Sequence, residues 1–194
     1  MPTISLIGAH GTGKTTIIDE IKKRHPKYHY LSECVRYLMP RLGYRDAWQI
    51  VNEHGAALFE LMNINAWSVI DPQQNPLIKP EMTLVIDRSP VDCVGYYYGF
   101  RSTKEDFAAE NLVKKLATHY ASLTDAFVYF PVGVIPLKGD ELRPPDIMTQ
   151  CITDTGIKRA LAELRIPESK LHYLQSTSVD ERVEEVLKVI EACK

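Results

Sequence analysis

The stretch Gly8-Ala9-His10-Gly11-Thr12-Gly13-Lys14-Thr15 decides how the rest of this chain is read. It fits the phosphate-binding loop pattern G-x-x-x-x-G-K-[ST] at every fixed position. Before it stands the apolar run Ile4-Ser5-Leu6-Ile7, which reads as a buried strand, and after it Thr16-Ile17-Ile18-Asp19-Glu20-Ile21, which reads as a helix. The glycines let the backbone curl so that several N–H groups converge on one anion. The helix start contributes its positive dipole end, and Lys14 contributes a full charge for the outer phosphates. Thr15 offers a hydroxyl to the magnesium that accompanies a nucleoside triphosphate. An ordinary glycine turn would not need a strand on one side and a helix on the other. The nucleotide-binding set is therefore Gly8, His10, Gly11, Thr12, Gly13, Lys14, Thr15 and Thr16.

Outward from the loop, the second strand falls around residues 28–31 and delivers Ser32-Glu33-Cys34-Val35-Arg36 at its carboxyl end, where open α/β sheets hold their ligands. Asp46 can cap a long helix over residues 47–69, whose residues Trp48, Ile50, Val51, Ala57, Leu58, Leu61, Met62, Ile64 and Trp67 form a broad apolar face. The third strand, Met82-Thr83-Leu84-Val85-Ile86, runs into Asp87-Arg88-Ser89-Pro90. An apolar strand ending in Asp is the Walker B arrangement, with the carboxylate near the metal shell; capping of the next helix is the other role open to Asp87. Arg88 beside it is well placed for a second phosphate or for the acceptor. Tyr96-Tyr97-Tyr98 on the following helix reads as packing, with base stacking as the other role, and Arg101 follows on a turn.

A fourth strand at residues 126–130 is followed by a Gly- and Pro-bearing segment, about residues 134–146, that reads as a lid carrying Arg143 between Leu142 and Pro144. A helix over about residues 147–164, a strand at 171–174 and a last helix complete the chain. Ser178-Val179-Asp180-Glu181 is a capping box for that last helix, with Val183, Val186, Leu187 and Ile190 facing inward. Five strands separated by helices predict a parallel sheet wound by right-handed crossovers in one domain, residues 1–194.

Composition agrees with an ordinary globular α/β protein: 194 residues, 45% hydrophobic, 25% charged. A net charge of −2 gives no support for a general nucleic-acid binder, though a local basic groove stays open. The four cysteines contain no C-x-x-C pair, so neither a zinc site nor a disulfide framework is expected, and a reducing cytoplasm fits. No apolar run approaches the ~20 residues of a membrane span, and the N-terminal apolar stretch is too short for a signal peptide.

Together the loop at residues 8–15, Glu33-x-x-Arg36, Asp87-Arg88-Ser89-Pro90, Arg143-Pro144 and Ser178-Val179-Asp180-Glu181-Arg182-Val183 resemble the AAA-like P-loop kinases, a family that includes the nicotinamide riboside kinase domain of bacterial NAD regulators. The chain is also broadly similar to deoxynucleoside and thymidylate kinases, and to viral kinases acting on modified bases in DNA. The resemblance implies ATP and Mg2+ as cofactors, with Lys14 and Thr15 holding donor phosphates and metal, and Asp87 ordering the metal's water shell. It implies Glu33 as the acid that takes a proton from an acceptor hydroxyl or binds the acceptor sugar. It further implies that Arg88 steadies the acceptor, with Arg36 and Arg101 beside it, and that Arg143 neutralises the transferring phosphoryl group. Arg182 matches the family's terminal pattern and also sits one helical turn from Glu185, as an ion pair would.

The expected activity is transfer of the ATP γ-phosphoryl group to a small nucleoside- or nucleotide-like acceptor. Three other readings remain: a kinase acting on a hydroxymethylated base such as 5-hydroxymethyluracil within DNA, a regulatory NTPase with no acceptor, and a motor-type ATPase. The first would be supported by Arg36, Arg41, Arg45 and Arg101 clustering on one rim. The acceptor, the choice of ATP over GTP and the oligomeric state are not written in the residues.

Overall fold

The computed structural model describes residues 2–32, 39–44, 47–65, 81–100, 107–137 and 146–194. Its centre is a sheet of five strands, β1 (Thr3–Ile7), β2 (His29–Leu31), β3 (Leu84–Asp87), β4 (Ala126–Tyr129) and β5 (Leu171–Tyr173), in the order β2-β3-β1-β4-β5. Every pairing is parallel, with Leu6 opposite both Asp87 and Val128. Parallel neighbours need crossover connections, and the helices between the strands supply them.

The strands alternate between two cores. Ile7, Leu84, Ile86, Phe127 and Tyr129 meet α4 (Pro90–Phe100), α5 (Phe107–Ser122) and α6 (Ile147–Glu163) on one face. Ile4, Leu6, Val85, Ala126 and Val128 meet α1 (Lys14–Arg24) and α7 (Val179–Ala192) on the other. The three central strands β1, β3 and β4 are buried on both sides, which explains why they are largely apolar with no polar face, whereas the edge strands β2 and β5 are partly exposed. The strand order puts β1 between β3 and β4, so the chain leaving β1 emerges at the point where ligands bind in doubly wound sheets.

The region read as one helix over residues 47–69 is two helices, α2 (Ala47–His54) and α3 (Ala56–Asn65). Gly55 separates them at φ 86°, in the left-handed region that ends helices. Ile50, Val51, Ala57 and Ile64 are buried as expected, whereas Leu58 is exposed. The sequence resumes its apolar period after Gly55, and a single glycine is tolerated within a helix, so the pattern alone does not show the break. The remaining part of that segment, with Trp67, lies outside the described residues.

Helices α4 and α6 approach closely enough that their glycines touch. A Cβ on Gly156 would lie 2.1 Å from the Gly95 carbonyl oxygen, and one on Gly95 would lie 2.7 Å from the Ile157 Cα. The serine cap of α7 forms: Ser178 Oγ accepts the Glu181 N–H at 3.3 Å, and Glu181 Oε2 receives the Ser178 hydroxyl at 2.7 Å in place of the N-cap N–H that a full capping box would use. Val183, Val186 and Ile190 are fully buried behind it, and Leu187 packs partly buried against the same core. Among the described residues no helix is long and apolar enough to cross a membrane.

Candidate active site

The glycine loop spans the step from β1 to α1, and side chains of its own and of two distant helices hold it by its carbonyl oxygens. Lys14 Nζ donates to Gly8 O at 2.7 Å and to Ala9 O at 2.9 Å. Thr12 Oγ1 donates to Ala9 O at 2.8 Å, Gln150 Nε2 of α6 to His10 O at 2.8 Å, and Arg182 Nη1 of α7 to Thr12 O at 3.0 Å. In a trans peptide the C=O of one residue and the N–H of the next point in opposite directions. Fixing the carbonyls of residues 8, 9, 10 and 12 therefore turns the N–H groups of residues 9, 10, 11 and 13 the other way. N–H groups freed in this way are the donors an anion-binding loop uses.

At the loop's entrance Asp92, fully buried on α4, accepts the Gly8 N–H at 2.9 Å and the Ser89 N–H at 2.6 Å. One carboxylate thus ties the donor loop to the turn after β3. Burial holds its pKa above the ordinary Asp value, against the opposing pull of Lys14, the Gly8 N–H and Arg88. The same turn carries Arg88 at φ 74°, a left-handed conformation that costs a non-glycine residue about 1 kcal/mol. The Arg88 N–H is held by Leu6 O at 3.1 Å, and its guanidinium lies 4.1 Å over the Tyr96 ring. Arg88 is buried at the carboxyl end of the sheet, one residue from Asp87.

Asp87 does not cap the helix that follows. Ser89 does, its Oγ accepting the N–H groups of Val91 at 3.0 Å and Asp92 at 3.2 Å, with Pro90 at the first helical position. Asp87 instead receives the Thr15 hydroxyl, Oγ1 to Oδ2, at 2.8 Å. Two hard oxygen groups, one from the first turn of α1 and one from the end of β3, therefore meet beside the loop. Thr15 and Thr16 are exposed on the first turn of α1, while Thr12 and Lys14 are buried in the loop. The tyrosine run is packing: Tyr96 lies under Arg88, Tyr97 is fully buried, and Arg159 lies 4.0 Å over the Tyr98 ring.

The structure thus brings together the loop residues, Asp87 and Arg88. Glu33, Arg36, Arg101 and Arg143 lie outside the described residues, as do Arg45 and most of the lid segment. Of that segment residues 134–137 and 146 are described, and Ile135 and Leu137 lie on the loop: the positions a Cβ would take on Gly13 and Gly11 are 3.0 Å from Ile135 Cδ1 and 2.3 Å from Leu137 Cδ1. Asp92 and Gln150 escape sequence reasoning, and Arg182, marked there by the terminal pattern, is not placed at the loop by it. Asp92 could have been noticed as an acid inside an otherwise apolar helix turn; Gln150 carries no such signal. The ion pair suspected between Arg182 and Glu185 is absent. Glu185 is turned toward the chain before α7, where it accepts the N–H groups of Gln175 and Ser176 and the Ser176 hydroxyl.

Sheet order, loop and the Thr15–Asp87 contact define a P-loop NTPase fold. A profile of the AAA domain family matches residues 3–182, and the chain belongs to that family. Among solved structures it is similar to NadR protein in complex with NAD and AMP-PNP, with a TM-score of 0.70 at 14% identity over 98% of this chain and 49% of that one. The chain therefore spans about half the length of NadR. It is also similar to thymidylate kinase from Candida albicans, with a TM-score of 0.65 at 12% identity, covering 98% of this chain and 91% of that one. Deoxyadenosine kinase from M. mycoides, with dCMP and dCDP bound, matches with a TM-score of 0.64 at 13% identity over 99% of this chain and 100% of that one. At these identities the likeness is one of fold, and the fold is that of nucleoside and nucleotide kinases. A search of curated protein sequences gave no match.

Proposed function

We propose that this chain is a magnesium-dependent kinase that moves the γ-phosphoryl group of ATP to a small nucleoside- or nucleotide-like acceptor. The observation that carries this reading is the 2.8 Å hydrogen bond from Thr15 to Asp87, which joins the first turn after the phosphate loop to the end of β3. A hydroxyl and a carboxylate, completed by phosphate oxygens and water, are the hard oxygen set that magnesium prefers. When bound there, the metal would draw charge off the bridging phosphate oxygens. The neighbouring structures support the donor, since one NadR complex contains AMP-PNP, an ATP analogue. They also support the acceptor class, as a further NadR complex contains NR.

In this reading Lys14 leaves the loop carbonyls for the donor's outer phosphates, and Arg88 steadies the acceptor beside them. Glu33 accepts the proton of the acceptor hydroxyl as its oxygen attacks the γ-phosphorus and the bond to the leaving ADP oxygen breaks. Arg143 offsets charge on the group in transit. Arg36 and Arg101 line the acceptor side. Glu33→Gln is expected to leave ATP binding intact while slowing transfer ~100-fold, the lower range of general-base effects. Transfer at the wild-type rate would remove Glu33 from that role.

The reading itself is tested by offering γ-labelled ATP and magnesium with separate panels of nucleosides, nucleotides, plain DNA and DNA containing 5-hydroxymethyluracil. Label on a nucleoside or nucleotide is the expected result. Label on the modified DNA alone would make the chain a DNA base kinase. Release of phosphate without a labelled acceptor would make it a regulatory NTPase.

A further inference from the structure

Arg182 is the largest fully buried side chain of the described residues, on the first turn of α7, only 2% exposed. Its Nη1 donates to Thr12 O at 3.0 Å, and its guanidinium carbon lies 5.1 Å from the centre of the Phe130 ring. Its Nε and Nη2 have no hydrogen-bond partner among the described residues. Among the described residues no carboxylate comes within ion-pairing distance, because Glu185 is occupied by Gln175 and Ser176. An ionised group taken out of water without a counter-charge costs several kcal/mol. Burial accordingly lowers the Arg182 pKa, with Glu185 pulling the other way. The guanidinium stays charged at neutral pH all the same, since arginine is not deprotonated in proteins.

A lone buried cation of this kind is poorly explained as a packing device. One carbonyl could be held by a neutral donor, as Gln150 holds His10 O in the same loop. What distinguishes Arg182 is its position. Its Nη1 lies 3.0 Å from the place a Cβ on Gly13 would occupy, directly against the residue that precedes Lys14. Any side chain at Gly13 would push it away. The charge sits in a low-dielectric setting next to a loop shaped to receive a polyanion, where a fixed charge acts far more strongly than it does in water.

We propose that Arg182 is a second cation of the phosphate site, alongside Lys14: it clasps Thr12 and its positive charge is balanced by the polyphosphate chain of the donor nucleotide. The inference rests on the reading of the loop as a triphosphate site. It makes the last helix of the chain part of donor recognition, and it makes the polyphosphate, not the base, the group that Arg182 senses.

The test measures binding of inorganic tripolyphosphate and of MgATP by calorimetry to the full chain carrying Arg182→Lys, Arg182→Gln or Arg182→Met, beside the wild type. Lys keeps the charge and one donor; Gln keeps a donor for Thr12 O without charge; Met keeps only bulk. The expected result is that Gln and Met lose at least ~10-fold in affinity for both ligands, a step of about 1.4 kcal/mol, and that Lys stays within a few-fold of wild type. Wild-type affinity in the Gln variant would reduce Arg182 to a clasp and overturn the proposal. So would a loss confined to ATP, which would place Arg182 on the base, or a Lys variant as weak as Gln. Failure of the wild-type chain to bind either ligand would instead sink the triphosphate reading. Should the variants not fold, the wild-type protein labelled with 15N-arginine decides: tripolyphosphate should shift the slowly exchanging Nε–H signal of the buried guanidinium, and an unmoved signal overturns the proposal.

Discussion

Lys14→Ala is expected to lower phosphoryl transfer at least ~10³-fold, the upper range for removing a single preorganised donor to developing charge. The side chain does two things that alanine cannot. It brings a charge to the loop mouth, and its ammonium ties Gly8 O and Ala9 O together at 2.7 and 2.9 Å. Without it those two carbonyls lose their common donor, and the peptide planes that aim the following N–H groups are free to rotate. The loss should therefore appear both in turnover and in MgATP affinity. The fold itself should survive, since the loop stays anchored by Asp92, Gln150 and Arg182 from three other positions. A labelled-ATP assay together with circular dichroism checks this. Unchanged turnover in a folded variant would mean that the loop is not the donor site.

Gly156→Ala is expected to show the largest stability effect of any single methyl group added to the described chain. The new Cβ would lie 2.1 Å from Gly95 O, a rigid backbone atom, so α4 and α6 would have to separate. Between them they bury Val91, Val94, Ile157 and Ala160 in the larger of the two sheet-facing cores. Overpacking of a tight contact costs about 1–3 kcal/mol and occasionally more, and here the upper end applies because neither partner is a flexible side chain. For a chain of this size that corresponds to a fall of roughly 6–12 °C in the unfolding midpoint. A melt within 2 °C of wild type would show that the helices are not held at this contact. Activity should fall as well, because α4 carries Asp92 and α6 carries Gln150, and both hold the loop.

Much of this molecule is legible in short windows of sequence. Strand, loop and helix at the N-terminus, the Asp at the end of β3 and the serine cap of α7 each depend on residues a few positions apart. Local chemistry is sufficient for those: glycine for the curl, a serine hydroxyl for an orphan N–H, an apolar run for a doubly covered strand. The break at Gly55 shows the limit of that approach. The apolar period continues across it, and only the observed φ of 86° shows that the helix ends.

The phosphate-loop pattern, the parallel α/β plan and the placing of Asp87 and Arg88 as neighbours on one turn can be read from the residues alone. Which side chains hold the loop depends on the packed fold. Asp92, Gln150 and Arg182 reach it across separations of 84, 140 and 170 residues. Arg182 is the clearest case. Its spacing to Glu185 satisfies the local rule for a helical ion pair, yet Glu185 is engaged by the chain before the helix and Arg182 is turned inward to Thr12. Local spacing states which contacts are geometrically open to a side chain. Which one forms depends on what the packed sheet brings alongside, and that is set by the whole chain at once.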